Sequence, residues 1–259
     1  MRTITDQLGR SISYDFPPKR IISFAPAITD TLFSLQLYEH IVGRTRFCIH
    51  PKGKVENAIN VGGTKDMKIE RIHELQPDLI IAEKEENTKE MVEELEKFYP
   101  VYVFEIQTVN DALNMILNLG TLTNRIEKAR ALHRTITTAM EHIPTKYKGK
   151  RVAYVIWKNP YMVVGKNTYI QSLMEKLGFI NPFTQFEGRY PTVTESDFCH
   201  ANLDYILLAT EPYPFKEKNI NEFLNISPLS QPVIVNGEMF WYGVKMFDAV
   251  TYFNEQFLR

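Results

Sequence analysis

No stretch of this chain comes near the roughly 20 consecutive apolar residues that a membrane-crossing helix needs, so none is expected. Cysteine is scarce: Cys48 and Cys199 are the whole supply, without CxxC spacing. A disulfide framework is thereby excluded, while reducing and oxidising compartments both stay compatible. An excess of one charge is missing too. The 30 Lys and Arg stand against 31 Asp and Glu, which gives no reason to expect nucleic acid or an anionic membrane as partner. There is no GxSxG elbow, no phosphate-binding P-loop, no GxGxxG after a strand and no HExxH, so enzyme signals are weak. The first ten residues lack the apolar core and small-residue cleavage site of a secretory signal. Two readings stay open: an export signal was removed and a start methionine supplied, or the chain stays in the cytoplasm.

What is present is the balance of an ordinary globular protein, 44% hydrophobic and 24% charged, with 259 residues to build one large domain or two small lobes. Arg20 to Ala25 is a short apolar run suited to a buried parallel strand, broken by Pro26. Thr29 or Asp30 can cap the helix that follows, with Leu32, Phe33, Leu35 and Leu37 on its apolar face. Ile41 to Gly43 reads as the next strand. The short amphipathic helix Ile69 to Leu75, the strand Leu79 to Ala82, the helix Glu90 to Phe98 and the strand Pro100 to Phe104 continue the alternation. This interval of strands and helices argues for an α/β lobe around a parallel sheet.

From Val109 to Ile143 there is no proline, and apolar residues recur at three- and four-residue steps. A single helix there would be about 50 Å long, too long for a crossover within one small sheet. It fits a helix joining two lobes; the alternative is two shorter helices kinked near Gly120. The pattern then restarts with a strand at Arg151 to Trp157 and a helix at Asn167 to Leu177. Gln76-Pro77-Asp78 followed by Leu79 to Ala82 is matched by Asn202-Leu203-Asp204 followed by Tyr205 to Ala209. Helix, turn, aspartate and strand recur in each half, which predicts two lobes of related build. The expected division is 1–108, a connecting helix over 109–145, and 146–259.

In parallel α/β sheets, ligands bind at loops that follow the carboxyl ends of strands, and two such lobes would face those loops across a cleft. Both tryptophans, Trp157 and Trp241, fall in these loops, with Phe47, Tyr161, Tyr190, Tyr213 and Tyr242. Loop aromatics in this number suit a large flat or greasy ligand, with Arg44, Arg46, Lys158 and Arg189 for its acidic groups. The candidate ligand-binding set is Phe24, Arg44, Arg46, Phe47, His50, Trp157, Tyr161, Arg189, Tyr190, Trp241 and Tyr242. Cys48 and His50 could serve as nucleophile and base or as two metal ligands. The remaining histidines are scattered, and a closed zinc site wants four ligands, so the pair reads rather as cleft wall. No catalytic residue, metal or cofactor is expected.

The order and spacing of several segments resemble a known family across nearly the whole chain. They are Arg20 to Pro26 with Thr29, Val42-Gly43, Val61-Gly62-Gly63, Ile69 to Ile72 leading to Leu75 to Ile81, Gly165-Lys166, Leu177 to Asn181, and Pro191 to Glu195. They resemble the substrate-binding proteins of cobalamin and iron-siderophore ABC importers, which are periplasmic-binding-protein-like. The resemblance implies two α/β lobes with mainly parallel sheets joined by a single long backbone helix. It implies a non-enzymatic monomer, periplasmic or extracytoplasmic, that captures a metal chelate and delivers it to an ABC permease. A carboxylate on each lobe would dock to permease arginines. Glu70 falls on the first position; in the second lobe Glu195 is the nearest acid, Ser196 sits where the acid is often found, and Asp197 follows. Cobalamin-binding members carry a tryptophan at about the place of Thr64, so corrinoid, ferric siderophore and haem-like ligands stay open. The alternative is a cytosolic tetrapyrrole metal chelatase, with His50 as proton acceptor and Glu83 or Glu85 as acidic partner.

Overall fold

In the computed structural model, which describes residues 1–258, the chain opens with an antiparallel hairpin, β1 (Arg2–Thr5) and β2 (Ser11–Tyr14). Its alternation of exposed and buried positions is that of a ribbon with one covered face. The strands β3 (Ile21–Ser23), β4 (Ile41–Arg44), β5 (Ile59–Asn60), β6 (Leu79–Glu83) and β7 (Val101–Phe104) then form one parallel sheet in the order β5-β4-β3-β6-β7. Every residue of β3, β6 and β7 is buried, as strands of a parallel sheet covered on both faces require, the edge strand β7 included. Between them run α1 (Pro26–Ser34), α2 (Ile69–Leu75) and α3 (Lys89–Glu96). The first of these begins at Pro26, earlier than a cap at Thr29 or Asp30 would place it, because proline's fixed φ suits the first turn. The Thr29 hydroxyl instead bonds Ser23 Oγ at 2.8 Å and the Ala25 carbonyl at 2.9 Å.

The segment expected to be one helix is helical but not continuous. It forms α4 (Val109–Leu122) and α5 (Ile126–Glu141). Asn124 lies between them in the left-handed region, φ 56°, which ends a helix and which asparagine tolerates better than most residues. Gly120 is not the kink. A Cβ there would collide with the Ala129 side chain, so glycine allows the two helices to pack closely at the break. The chain falls into two compact units, residues 1–106 with 110–136, and 107–109 with 137 onward, so 110–136 goes with the first unit instead of standing apart as a connector.

In the second unit β8 (Val152–Trp157), β9 (Tyr161–Val163), β10 (Thr192–Val193), β11 (Tyr205–Ala209) and β12 (Gln231–Val235) are ordered β10-β9-β8-β11-β12. The strands β8, β11 and β12 are parallel, while β9 and β10 pair antiparallel. Its helices are α6 (Tyr169–Lys176), α7 (Glu195–His200), α8 (Ile220–Ile226) and α9 (Lys245–Glu255). A core of Val155, Phe183, Phe198, Ile206, Leu208 and Phe223 packs inside it, each at 1% exposure or less. Fully burying a side chain of this size contributes about 1.5–3 kcal/mol.

The repeat read from the two halves extends to individual hydrogen bonds. Gln76 and Asn202 both adopt left-handed φ, 44° and 48°, at the ends of α2 and α7. Two residues on, the Asp78 carboxylate accepts from the backbone of Lys19 and Arg20 (2.6 and 2.9 Å), and Asp204 from that of Arg151 (2.8 Å). The side chains of Arg20 and Arg151 return to the carbonyls of Leu75 and Ala201 through Nε and Nη2, at 2.6–2.8 Å and 2.8–3.0 Å. Each unit thus latches the amino ends of its two central strands with one arginine and one aspartate.

Candidate functional site

Loops at the carboxyl ends of the strands in the first unit are held by internal polar contacts. Asn87 accepts from the Glu83 amide (2.9 Å) and donates to the carbonyls of Thr64 (2.9 Å) and Phe24 (3.3 Å). The Glu83 carboxylate, 1% exposed, accepts backbone amides of Glu85 (2.7 Å), Glu86 (3.0 Å) and Ile106 (3.2 Å). Its lone pairs are engaged in holding the turn after β6, so it does not serve as the acidic partner the chelatase alternative requires. Cys48 lies in the core, its sulfur 3.1 Å from Thr29 Oγ1 and 3.2 Å from Thr45 Oγ1. Burial pushes its thiol up in pKa, which favours the unreactive protonated form over a nucleophile or metal ligand. Phe24 is likewise a core residue, packed with Ile22, Ile80 and Val103.

The first unit's surface at these loops is made by other members of the predicted set. Phe47 is half-exposed, with the Arg46 guanidinium 4.9 Å from its ring centroid. Arg46 forks onto Asp66 through two bonds of 2.8 and 2.9 Å, and these bonds hold the Asp66 carboxyl below the usual range. Arg44 spends its Nε on the Val55 carbonyl and Nη1 on that of Thr45, both at 3.1 Å. It therefore stiffens the loop. His50 is partly exposed at the end of the same loop.

The second unit collects aromatics at the ends of its three parallel strands. Trp157 ends β8, is 41% exposed, and stands edge-to-face with Tyr213 at 5.7 Å, just beyond the end of β11. Trp241 follows β12, and its indole N–H donates to Glu211 Oε1. Tyr242 is edge-on to Tyr169 at 5.7 Å. Lys158 Nζ is 2.5 Å from Glu222 Oε2, and the Tyr161 hydroxyl donates to Glu222 Oε1. Burial presses the Glu222 carboxyl upward, but the bonds from Lys158 and Tyr161 hold it below its ordinary value. Lys158 and Tyr161 are therefore tied to an acid on α8. Arg189 and Tyr190 lie farther along the sheet edge, before β10; the Arg189 carbonyl accepts from Gly165 at 2.8 Å. Among the described residues no group of three His, Cys, Asp or Glu is placed to hold a metal ion.

Sequence reasoning overlooked Asp66, Asn87, Glu211 and Glu222. Glu211 had a usable signal, an acid directly after a parallel strand and beside Pro212-Tyr213-Pro214. Glu222 had none, since it sits on a helix and reaches the loop only through the fold.

Two α/β units built on parallel strands, joined in sequence through α4 and α5, have the fold of periplasmic binding proteins of the helical-backbone type. The chain belongs to the periplasmic binding protein family, whose model matches residues 21–233. That is a family of binding proteins, and the enzyme alternative finds no support in it. A vitamin B12-binding protein from Vibrio parahaemolyticus is 27% identical over 184 residues, covering 69% of this chain. The chain spans 66% of that relative's length, just under two thirds. The fold is shared with the periplasmic vitamin B12-binding protein BtuF of Vibrio cholerae, at TM-score 0.77 and 20% identity, over 92% of this chain and 96% of that one. It is shared too with an ABC-type Fe3+-hydroxamate transport system protein from Saccharomonospora viridis, at TM-score 0.75 and 20% identity, over 100% and 99%.

Proposed function

We propose that this chain captures a metal chelate with a flat or greasy body, a corrinoid, ferric siderophore or haem-like molecule, on the loops that end its parallel strands. It passes the ligand chemically unchanged to an ABC permease. The observation that carries this reading is the second unit's strand ends, where two partly exposed indoles follow β8 and β12 and a phenol packed on the core follows β11 between them. Aromatic faces held in this way bury large area against a ring system at little conformational cost. The relatives named above support the ligand class through what they bind.

The test is thermal stability in the presence of cyanocobalamin, haemin and ferrichrome. A ligand bound only by the folded state raises stability by about 2.7 kcal/mol at one hundred times its Kd. We expect one of the three classes to raise the midpoint; no shift with any of them, and no binding by calorimetry, would overturn the reading.

Delivery is assigned to one acid on each unit. Glu70, second residue of α2, is exposed. Glu195, first residue of α7, is exposed as well. Asp197 is engaged in a capping box, its Oδ2 accepting from the Thr194 amide and hydroxyl, both at 2.7 Å. Glu195 is thus the second-unit acid left for a partner's arginine. The protein acts outside the cytoplasm and as a monomer in this reading.

A further inference from the structure

At the ends of β11 and β12 two turns, Thr210 to Tyr213 and Asn236 to Trp241, are sewn to each other. The Thr210 amide donates to the Val235 carbonyl at 3.0 Å, and the Gly237 amide donates to Thr210 Oγ1 at 3.0 Å. The Trp241 indole N–H donates to Glu211 Oε1. Gly237 has no room for a Cβ, because the Glu211 side chain and amide lie against it. Glu211 is thereby gripped by one turn and in turn holds the aromatic ring of the other.

This carboxyl is unusually placed. It is partly buried, and among the described residues its second oxygen accepts no hydrogen bond. The titratable groups around it are Glu238, a like charge, and the phenol of Tyr154. Burial, reinforced by Glu238, pushes Glu211 up to about 7, against the opposing pull of the indole bond. An ionised carboxylate ordinarily takes several donors; here it has one. Protonated, it keeps an oxygen for the indole and gains an O–H donor.

Resting on the ligand-capture reading above, we propose that Glu211 is the positioning residue for Trp241 and, through that ring, a proton-linked determinant of ligand affinity. The ligand class it favours carries an acceptor oxygen, a carboxylate or amide carbonyl, at the margin of a flat ring system. The protonated Glu211 would donate to that oxygen while Trp241 covers the ring. Above neutrality the ionised form repels an acidic ligand group.

The chain has only two tryptophans, so Trp157→Phe leaves Trp241 as the sole indole reporter. Its emission is recorded from about pH 5 to 9 in Trp157→Phe, and again with Glu211→Gln or Glu211→Ala added. We expect a one-proton transition near pH 7 in the parent, lost in the Gln variant, whose amide oxygen still accepts from the indole and keeps the low-pH spectrum. The Ala variant shifts to longer wavelength at every pH. A flat parent profile, or the same transition in the Gln variant, would overturn the proposal. In the otherwise unchanged chain, affinity for whichever of cyanocobalamin, haemin or ferrichrome binds should fall about tenfold between pH 6 and 8. Glu211→Gln should flatten that dependence; pH-independent affinity in the unchanged chain would overturn the link to ligand. Binding of none of the three counts against the capture reading, and the emission titration still decides whether Glu211 holds Trp241.

Discussion

Replacing Glu83 by glutamine keeps its size and removes its charge. In the folded chain its two carboxylate oxygens accept backbone amides, Glu85 and Glu86 at Oε2 and Ile106 at Oε1. A glutamine oxygen can serve the first pair, but its NH2 then faces the Ile106 N–H, donor against donor. One charge-assisted bond is lost, worth about 1.5–3 kcal/mol, and a buried amide is left without its acceptor. The expected cost is about 2–3 kcal/mol, or roughly 5–10 °C in melting midpoint for a domain of this size. Alanine orphans all three amides and should cost about 4 kcal/mol or more. Urea unfolding followed by circular dichroism measures both. A carboxylate retained for chemistry behaves differently: neutralising it leaves stability unchanged or raises it. A Glu83→Gln midpoint equal to or above that of the parent would refute the structural role.

Trp157→Ala and Trp241→Ala should each weaken chelate binding by about 2 kcal/mol, roughly thirtyfold, in calorimetry, as truncation of aromatic anchors commonly does. Unchanged affinity in both, with the fold intact, would remove the strand-end loops of the second unit from the site. Glu70→Arg and Glu195→Arg should leave ligand affinity unchanged and impair uptake in cells; Asp197→Ala should do the reverse of Glu195→Arg, costing about 1 kcal/mol of stability by loss of the reciprocal half of the capping box while uptake persists. Asn124→Ala should destabilise by about 1 kcal/mol, because alanine pays more than asparagine for a left-handed φ, and Asn124→Gly should not; equal stability of the three in denaturant would show that the break is held elsewhere.

Much of the architecture was legible because the strands are buried on both faces and so appear as unbroken apolar runs, as in Leu79 to Ala82 and Tyr205 to Ala209. The opening hairpin was not, because Arg2 to Thr5 alternates only weakly and its turn residues also suit a loop. The helix break escaped for a different reason. Glycine is the stronger breaker by propensity, so Gly120 drew attention, whereas the left-handed residue is Asn124 and Gly120 answers to the Ala129 contact. At the site, strand-end position identified the loops but not the state of their side chains. Phe24 proved to be core and Arg44 a brace, since a place at a strand end does not say whether a side chain turns inward or which carbonyl it meets. Tyr161 and Lys158 were read as ligand groups without the acid that binds them, Glu222, which lies about sixty positions on.

The matching arginine–aspartate latches sit at the amino ends of the central strands, and the aromatic loops leave from the carboxyl ends. Under the proposed function, specification of the scaffold and selection of cargo are written into opposite rims of the same sheets. Loops of the cargo rim can be lengthened, shortened or exchanged without touching Arg20, Asp78, Arg151 or Asp204. A scaffold arranged in this way can be re-addressed to new cargo by editing one rim, and its tolerance for such edits should be read from whether the four latch residues survive them.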